Sequence, residues 1–570
     1  MYIKKLELQN FRGFEHEIIE LDDITVFVGE NNTGKTSIMD AIKLIIGTPS
    51  WQEGLSRFDY HLGSSKANPG DAGEIIVKVE MSEKIEDEWP DEIQQTIPDV
   101  IDYDEKGLRH IYLMLKSTYD QSISKSIIVK EFTNNNGETK GTKANNNSSF
   151  SHLKTLLPIF QINSIRDFEA EFQQKRGVFR KFLNSDKINI EEKTKIETKL
   201  NTLNKEIIDL LKNIKLLKTN LSKSMSILSG TDEAIIDIES IPTNLDSLIE
   251  KAGVVLQNAT GIRLPLERHG SGALSLAVIF LYEAYLSVLI EDEFDKFATP
   301  ILLIEEPEAH LHPSAVRLFW NFIEKMPGQK IISTHSGDII SKVPISKVRR
   351  IIDTKGLNRV KGIHESNFDA TEKRFLKTYI SYNRGELFFS KNWLLVEGET
   401  EHIFFESLLN HDGFLDKNGI RIIQYSQIGA GTILKIANDI HIRWFIVTDG
   451  DTQGLENRVK AIKYLPVGVN DSEQVYSFNE SSIEVYLMNN SFESFYYSKI
   501  SPQIKKNITV TKTSPDYNEA VYKAIKNNIT KPDIVLEIVD NILSKKTNEP
   551  TIIAYIKQKL VNIASIRNTI

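Results

Sequence analysis

The sequence predicts an α/β protein in which two separate strand–turn–helix units carry chemically active side chains, with a long amphipathic helical segment between them. Three observations carry that expectation. An apolar strand at 24–28 (ITVFV) runs into a glycine-containing loop and then an apolar helix over 36–46. A second unit begins near 390 with WLLVEGETEHIFFESLL and continues in WFIVTDGD. Between them, Ile196, Leu200, Leu203, Ile207, Leu210, Ile214, Leu217 and Leu221 recur at alternating spacings of 4 and 3, a heptad seam.

Bulk properties set the frame. A chain of 570 residues is too long for one hydrophobic core, so two or three domains are expected. Hydrophobic residues at 40% and charged residues at 26% suit ordinary soluble globular protein. No run approaches the roughly 20 apolar residues that span a bilayer. The opening MYIKKLELQNF alternates like a strand rather than forming an apolar signal core. A cytoplasmic protein with no membrane partner is the expectation. With no cysteine, disulfides, zinc–thiolate sites and cysteine nucleophiles are excluded. The net charge of −9 argues against a uniformly DNA-coating surface, leaves room for a local basic groove, and suits clustered acidic metal ligands.

Along the chain, 3–11, 75–80 and 110–116 read as further strands of a mixed sheet. The asparagine-rich stretch 133–150 reads as an exposed loop, a candidate for disorder. Residues 188–228, which carry the seam, read as a helical hairpin or dimerisation arm, or alternatively as one amphipathic helix packed on its own domain. Strand–turn–helix character resumes at ILLIEEPEAHLHP from 301, and beyond about 500 the chain is Lys- and Asn-rich with helical apolar spacing.

The first unit has the residues of a nucleotide site. Gly29 to Thr36 (GENNTGKT) matches G-x-x-x-x-G-K-[ST] between a strand and a helix. Gly29, Asn31, Asn32, Gly34 and Ser37 belong to a loop and helix start whose N–H groups can close around the phosphates of ATP. Lys35 is placed to reach the β- and γ-phosphates and Thr36 to hold Mg²⁺. The strand Ile301 to Ile304 ends in Glu305 and Glu306. One of these carboxylates can serve the magnesium shell while the other orients or deprotonates water. His335, at the end of the strand in IISTHS, reads as a γ-phosphate sensor.

The second unit has the residues of a metal site. Glu397 ends a strand and Glu401 sits in the first turn of the helix that follows. Asp449 and Asp451 (TDGD) end another strand, two residues apart, so both can point to one side. A glycine turn, Gln427 to Gly431 (QIGAG), lies between the two pairs. Four carboxylates on two strand ends suit hard cations such as Mg²⁺ or Mn²⁺, the metals of phosphodiester cleavage.

The order LELQNFRGF, GENNTGKT, LLIEEPEAHLHP, STHS resembles the ABC-type ATPases of the SMC and RecF kind. That resemblance implies Glu305 as the metal-side acid, Glu306 as the catalytic glutamate, His335 as the switch histidine, Arg12 near the nucleotide and Gln161 as the glutamine between the motifs. The signature segment falls on His269 to Ser275, where HGSGALS stands in place of SGGE or SGQ, and it implies a homodimer or higher homo-oligomer. The EGETE and DGD units resemble the Toprim domain. An SMC-like ATPase with an inserted coiled-coil arm followed by Toprim resembles the OLD (overcoming lysogenisation defect) family, over about residues 1–500. The resemblance implies an ABC-type ATPase domain at 1–375 with a helical insertion at about 165–255, a Toprim nuclease domain at 388–500 and a C-terminal helical region at 501–570. It further implies Glu484 (SSIEVYL) as an additional acid and Lys545 or Lys546 as a phosphate-assisting lysine.

The implied activity is an ATP-regulated, Mg²⁺- or Mn²⁺-dependent endonuclease acting on DNA in anti-phage defence, alone or with a helicase or a retron reverse transcriptase and its DNA. The alternative is a DNA-binding ATPase clamp with a structural Toprim domain. A topoisomerase is disfavoured because none of the 18 tyrosines has a recognisable nucleophile setting.

Overall fold

The computed structural model describes residues 1–47, 55–63, 71–141, 143–162, 188–215, 239–249, 252–257, 263–270, 297–309, 313–382, 385–506, 508–527 and 530–565, with isolated positions between them. The chain divides into two compact units: Met1–Gln161, Thr299–Glu308 and Gly328–Ile570 form one, Ile162–Ala298 and Ala309–Pro327 the other.

The first unit is built on three sheets. In the first, Tyr2–Phe11 lies between Phe14–Glu20 and Ile75–Ser82, with Arg109–Asp120 next and Ile101–Tyr103 and Lys125–Thr133 paired to it, all antiparallel. Ile3, Leu6, Leu8 and Phe11 are buried. A two-residue turn, Arg12-Gly13, closes the first hairpin, with Arg12 at φ 51°. The returning strand Phe14–Glu20 was not among the expected elements; its pattern of one buried residue per several exposed ones hides it.

In the second sheet the strands Val348–Thr354, Ile24–Gly29, Gln329–Ser333 and Ile301–Glu305 run parallel in that order. The runs ILLI and QKIIS are wholly buried, as parallel strands covered on both faces must be. Parallel register brings the loop after Gly29, the acids at 305–306 and the turn holding His335 to the same edge.

The third sheet is also parallel, in the order Ile420–Gln424, Asn392–Val396, Arg443–Thr448, Val475–Ser477. Its two central strands end side by side, so Glu397 and Asp449 emerge at one edge. The C-terminal helices Tyr517–Ile525, Lys531–Leu543 and Thr551–Ser565 place Val521, Ile534, Val535, Ile538, Ile556 and Leu560 in the same core as Phe404 and Phe405. Each such side chain contributes about 1.5–3 kcal/mol on burial. The chain beyond 500 is thus part of the Toprim-type core rather than an appendage.

Within this unit Arg350 joins the second sheet to the third. Its guanidinium donates to Ile440 O (3.0 Å), His441 O (3.2 Å) and Ser390 O (2.7 Å). The first two carbonyls lie at the C-terminal end of the helix Ala430–Asp439, where a cation complements the helix dipole. Glu372 accepts from Lys435 and Thr432, and Tyr379 donates to Gln424 O, along the same join. Arg350→Met would strand three carbonyls, and a loss of about 2–4 kcal/mol is expected. A lowered Tm in thermal unfolding, only partly restored by Arg350→Lys, checks this.

One expectation needs correction, and one of two open readings is narrowed. The second half of the asparagine-rich stretch is helical: Lys143–Leu156 forms a helix, anchored by buried Leu153 and Leu156. Its apolar anchors lie mostly beyond the polar run that suggested a loop. In the second unit the seam is not one continuous helix. The helix Ile190–Leu210, capped by the Asn189 side chain, ends at Leu211 (φ −97°, ψ 88°), with no glycine or proline to mark the break. It buries Asn204 and Ile208, and the Asn204 side-chain Oδ1 accepts from the Ser240 N–H and hydroxyl and from the Ile241 N–H. Ile196, Leu203 and Leu210 of the seam are exposed, while Leu221 lies outside the described residues. Among the described residues no helix is long and apolar enough to cross a membrane.

Candidate functional site

The phosphate loop forms where the strand Ile24–Gly29 meets the helix Lys35–Ile46. Asn32 (φ 67°) and Gly34 (φ 96°) take left-handed backbone. A Cβ on Gly34 would stand 2.8 Å from both the Asn358 amide and the Phe14 ring, so only glycine fits there. Lys35 is buried and its Nζ donates to Gly29 O and Glu30 O, both at 2.8 Å, so the ammonium lies across the mouth of its own loop. Burial lowers its pKa, against the opposing pull of Glu306, Glu308 and Glu30.

Thr36 Oγ1 donates to Glu305 Oε2 at 3.2 Å. Gln161 Nε2 donates to Glu305 Oε1 at 3.0 Å, and Lys43 Nζ to Gln161 Oε1 at 2.9 Å. The structure therefore brings together the expected Thr36, Glu305 and Gln161. Arg12 bridges Asp59 and Asp40, both at 2.8 Å, and reaches Ser37 Oγ at 3.4 Å. These carboxylates fix the guanidinium beside the first turn of the phosphate-loop helix.

Glu306 adopts φ 44° and its N–H donates to Ser333 O, which turns it out of the strand direction. His335 Nε2 lies 3.7 Å from Glu306 Oε1. Burial, with Lys35 adding to it, lowers the His335 pKa and favours the neutral ring. The His335 N–H donates to Glu308 Oε1 at 2.6 Å, and burial raises the Glu308 carboxyl. Glu308 was missed; its signal was the third acid of EEPE. The candidate signature residues Ser271 to Ser275, and His310 and His312, lie outside the described residues.

The acidic site lies at the edge of the third sheet. Glu401 is buried, and its Oε2 accepts the Gly398 N–H at 3.0 Å in the first turn of the helix Glu399–Leu409. Asp451 caps the helix Thr452–Ile462 by accepting the Gly454 N–H at 2.7 Å. Gly450 between the two aspartates is required by close approach: a Cβ there would meet Glu480 O at 2.4 Å and Phe478 O at 2.6 Å. Glu484, on the helix Ile483–Leu487, is buried.

Burial pushes Asp449 up to about 9, reinforced by Glu401, Glu397, Glu484 and Asp451. Burial likewise pushes Glu401 up to about 7, with Glu484 the next contributor, and raises Glu397, with Asp451 next. Glu397, Glu401 and Asp449 thus lie in a low-dielectric site where like charges resist ionising together, with Glu484 buried beside them and Asp451 exposed at the rim.

A lysine other than the two expected stands beside the acids. Lys531 Nζ, not Lys545 or Lys546, stands 3.2 Å from Glu484 Oε1 and also bonds the Tyr522 hydroxyl. Burial opposes its charge, but Glu484 and Tyr522 outweigh that and raise its pKa. Lys531 begins the helix Lys531–Leu543, whereas Lys545 and Lys546 lie just past its end, about 20 Å away at 1.5 Å per residue.

Among the described residues no three acidic or imidazole groups are gathered at metal-ligand spacing. Glu401 and Asp451 are instead turned onto backbone N–H groups. The donor set still fits a hard divalent cation. It is all carboxylate oxygen, and burial together with the neighbouring acids raises Glu397, Glu401 and Asp449, a penalty on ionising that a bound cation would relieve.

Comparison with known proteins identifies the family. The family model described as "Protein of unknown function (DUF2813)" matches residues 1–386, and that described as "Overcoming lysogenization defect protein-like, TOPRIM domain" matches residues 388–451. The chain is 22% identical over 549 residues to the uncharacterized protein YbjD of Escherichia coli (strain K12), covering 94% of each. It is 22% identical over 491 residues to the endonuclease GajA of Bacillus cereus (strain VD045), covering 80% of this chain and 76% of that one. It is 23% identical over 508 residues to the OLD nuclease of Thermus scotoductus, covering 80% and 83%. With the first family model spanning more than half of the chain and an OLD-like Toprim domain following it, the protein belongs to the DUF2813 family and has the ATPase–Toprim plan of the OLD proteins.

Proposed function

We propose that this chain is a DNA endonuclease that uses Mg²⁺ or Mn²⁺ at its carboxylate site, binds ATP at its ABC-type site, and serves in bacterial anti-phage defence. The observation that carries the reading is the convergence of Glu397, Glu401, Asp449, Asp451 and Glu484, with Lys531, at one edge of a parallel sheet. Relatives named endonuclease and OLD nuclease support the cutting activity.

In this reading Glu397, Glu401, Asp449 and Asp451 hold the metal. A bound divalent ion supplies Lewis-acid stabilisation of the phosphodiester oxygens and a more acidic water. Glu484 fixes Lys531, whose ammonium faces the charge that develops on the phosphate. At the other site Lys35 exchanges its two loop carbonyls for the ATP phosphates. Thr36 and Glu305 hold Mg²⁺, Glu306 orients or deprotonates the attacking water, and His335 reads the γ-phosphate. Arg12, Gly29, Asn31, Asn32, Gly34 and Ser37 complete the nucleotide cradle. The functional form is a homodimer or higher homo-oligomer, alone or with a helicase or a retron reverse transcriptase and its DNA.

The clamp reading has one observation in its favour, the engagement of Glu401 and Asp451 with backbone N–H groups. Plasmid cleavage decides between the two. Purified protein is incubated with supercoiled DNA and Mg²⁺ or Mn²⁺, with and without ATP, as wild type, Asp449→Ala and Lys35→Ala. Wild-type cutting that falls about 10³-fold or more in Asp449→Ala is expected, with the ATP response lost in Lys35→Ala. No cutting under any condition would put the clamp first.

A further inference from the structure

We propose that Tyr425 is a positioning residue for Glu397, its hydroxyl tying together the two strand ends that carry the acids. The inference rests on the nuclease reading and adds to it a group outside the acid set.

Tyr425 directly follows the outer strand Ile420–Gln424. Its N–H donates to Val396 O at 2.9 Å, and the next N–H, of Ser426, donates to Glu397 O at 3.1 Å. Its own carbonyl accepts from Ile428 N and Gly429 N, which holds the turn into the helix Ala430–Asp439. The backbone is therefore pinned at the residue that ends the central strand.

The side chain is 1% exposed and reaches the far side of that strand. Its hydroxyl lies 3.1 Å from Val447 O and 3.4 Å from Glu397 Oε2. Val447 stands two residues before Asp449, on the strand beyond Asn392–Val396 in the sheet order. The phenol thus starts on one outer strand, passes the central one, and contacts both acid-bearing strands at their ends. One hydroxyl proton is shared between two acceptors, so the bond to Glu397 can strengthen or loosen without the ring moving. A core tyrosine needs only one buried acceptor. A hydroxyl set on a carboxylate that holds metal does what outer-shell partners do, fixing which oxygen the ligand presents.

Tyr425→Phe keeps the ring and removes only the hydroxyl, so folding is retained. The test measures Mn²⁺ binding to the full-length protein by isothermal titration calorimetry, with Tm and nucleotide affinity recorded for each variant. Wild type binds Mn²⁺ and Asp449→Asn does not. Tyr425→Phe is expected to weaken Mn²⁺ binding about 10-fold while nucleotide affinity at the phosphate loop stays at the wild-type value. Cleavage at saturating Mn²⁺ should recover, because the ligands themselves remain. Unchanged Mn²⁺ affinity in Tyr425→Phe, with or without a lowered Tm, overturns the proposal and makes the hydroxyl a packing feature. Mn²⁺ bound by neither wild type nor any variant overturns the metal-dependent reading itself, and the proposal with it.

Discussion

Replacing Asp449 by asparagine is expected to raise the Tm of the metal-free protein at pH 8 while abolishing cleavage. Unfolded, an aspartate titrates near its ordinary value of about 3.9. Folded, it is held up to about 9 by burial and by the acids around it, and Glu401 is held up to about 7. A carboxyl raised on folding contributes its full stability below the unfolded value and loses it as pH climbs through the folded one. Metal-free wild type should therefore weaken between about pH 4 and pH 9, most steeply below about pH 7, where Glu401 and Asp449 both hold protons that the unfolded chain has released, and less steeply above it, where Asp449 alone still holds one. Asparagine cannot ionise and should flatten that slope by several degrees of Tm at pH 8. Mn²⁺ should stabilise wild type more at pH 8 than at pH 6, since it takes the place of protons, and should not stabilise Asp449→Asn. The scan is Tm against pH with and without Mn²⁺. An identical slope in both proteins would mean that Asp449 sits in ordinary solvent and is no part of a charge-loaded site.

What the sequence revealed and what it hid follow one physical division. The phosphate loop was legible because its chemistry is local: backbone N–H groups, Lys35 and Thr36 must lie within eight consecutive residues. Glu305 and Glu306 were legible because two adjacent acids at the end of a fully buried strand need a cation or a water to engage them. Glu397, Glu401, Asp449 and Asp451 were legible for the same reason, since parallel strands deliver their C-terminal ends to one edge. Tyr425 and Glu308 were not read, because each acts through a hydrogen bond to a residue distant in sequence, and neither residue type is a signal by itself. The helix Lys143–Leu156 was hidden by asparagines at its start. The heptad seam announced a helix but not its end at Leu211, because spacing records which face is apolar, not where tertiary contacts stop it.

A resemblance implies a lysine without saying which one, and the geometry supplies a candidate. Lys545 and Lys546 drew attention as a pair near the C-terminus, but a helix starting at Lys531 carries them away from the acids. Lys531→Met is expected to lower cleavage about 10²–10³-fold, the usual cost of removing one charge aimed at a developing oxyanion. It also leaves Glu484, only 3% exposed at its side chain, buried beside acids that already resist ionising. Breaking a fully buried pair costs about 3–5 kcal/mol; with Lys531 34% exposed, solvent screening reduces this to about 1–2 kcal/mol. Lys531→Arg restores the charge and most of the Tm but presents a planar fork to a site built around a compact ammonium, so cleavage should return only in part. Lys546→Ala should match wild type in both cleavage and Tm. Wild-type cleavage in Lys531→Met would assign the lysine to holding Glu484 alone. In that case the negative charge developing on the phosphate would have to be met by the metal, because Lys531 is the cation that Glu484 holds at the acid site.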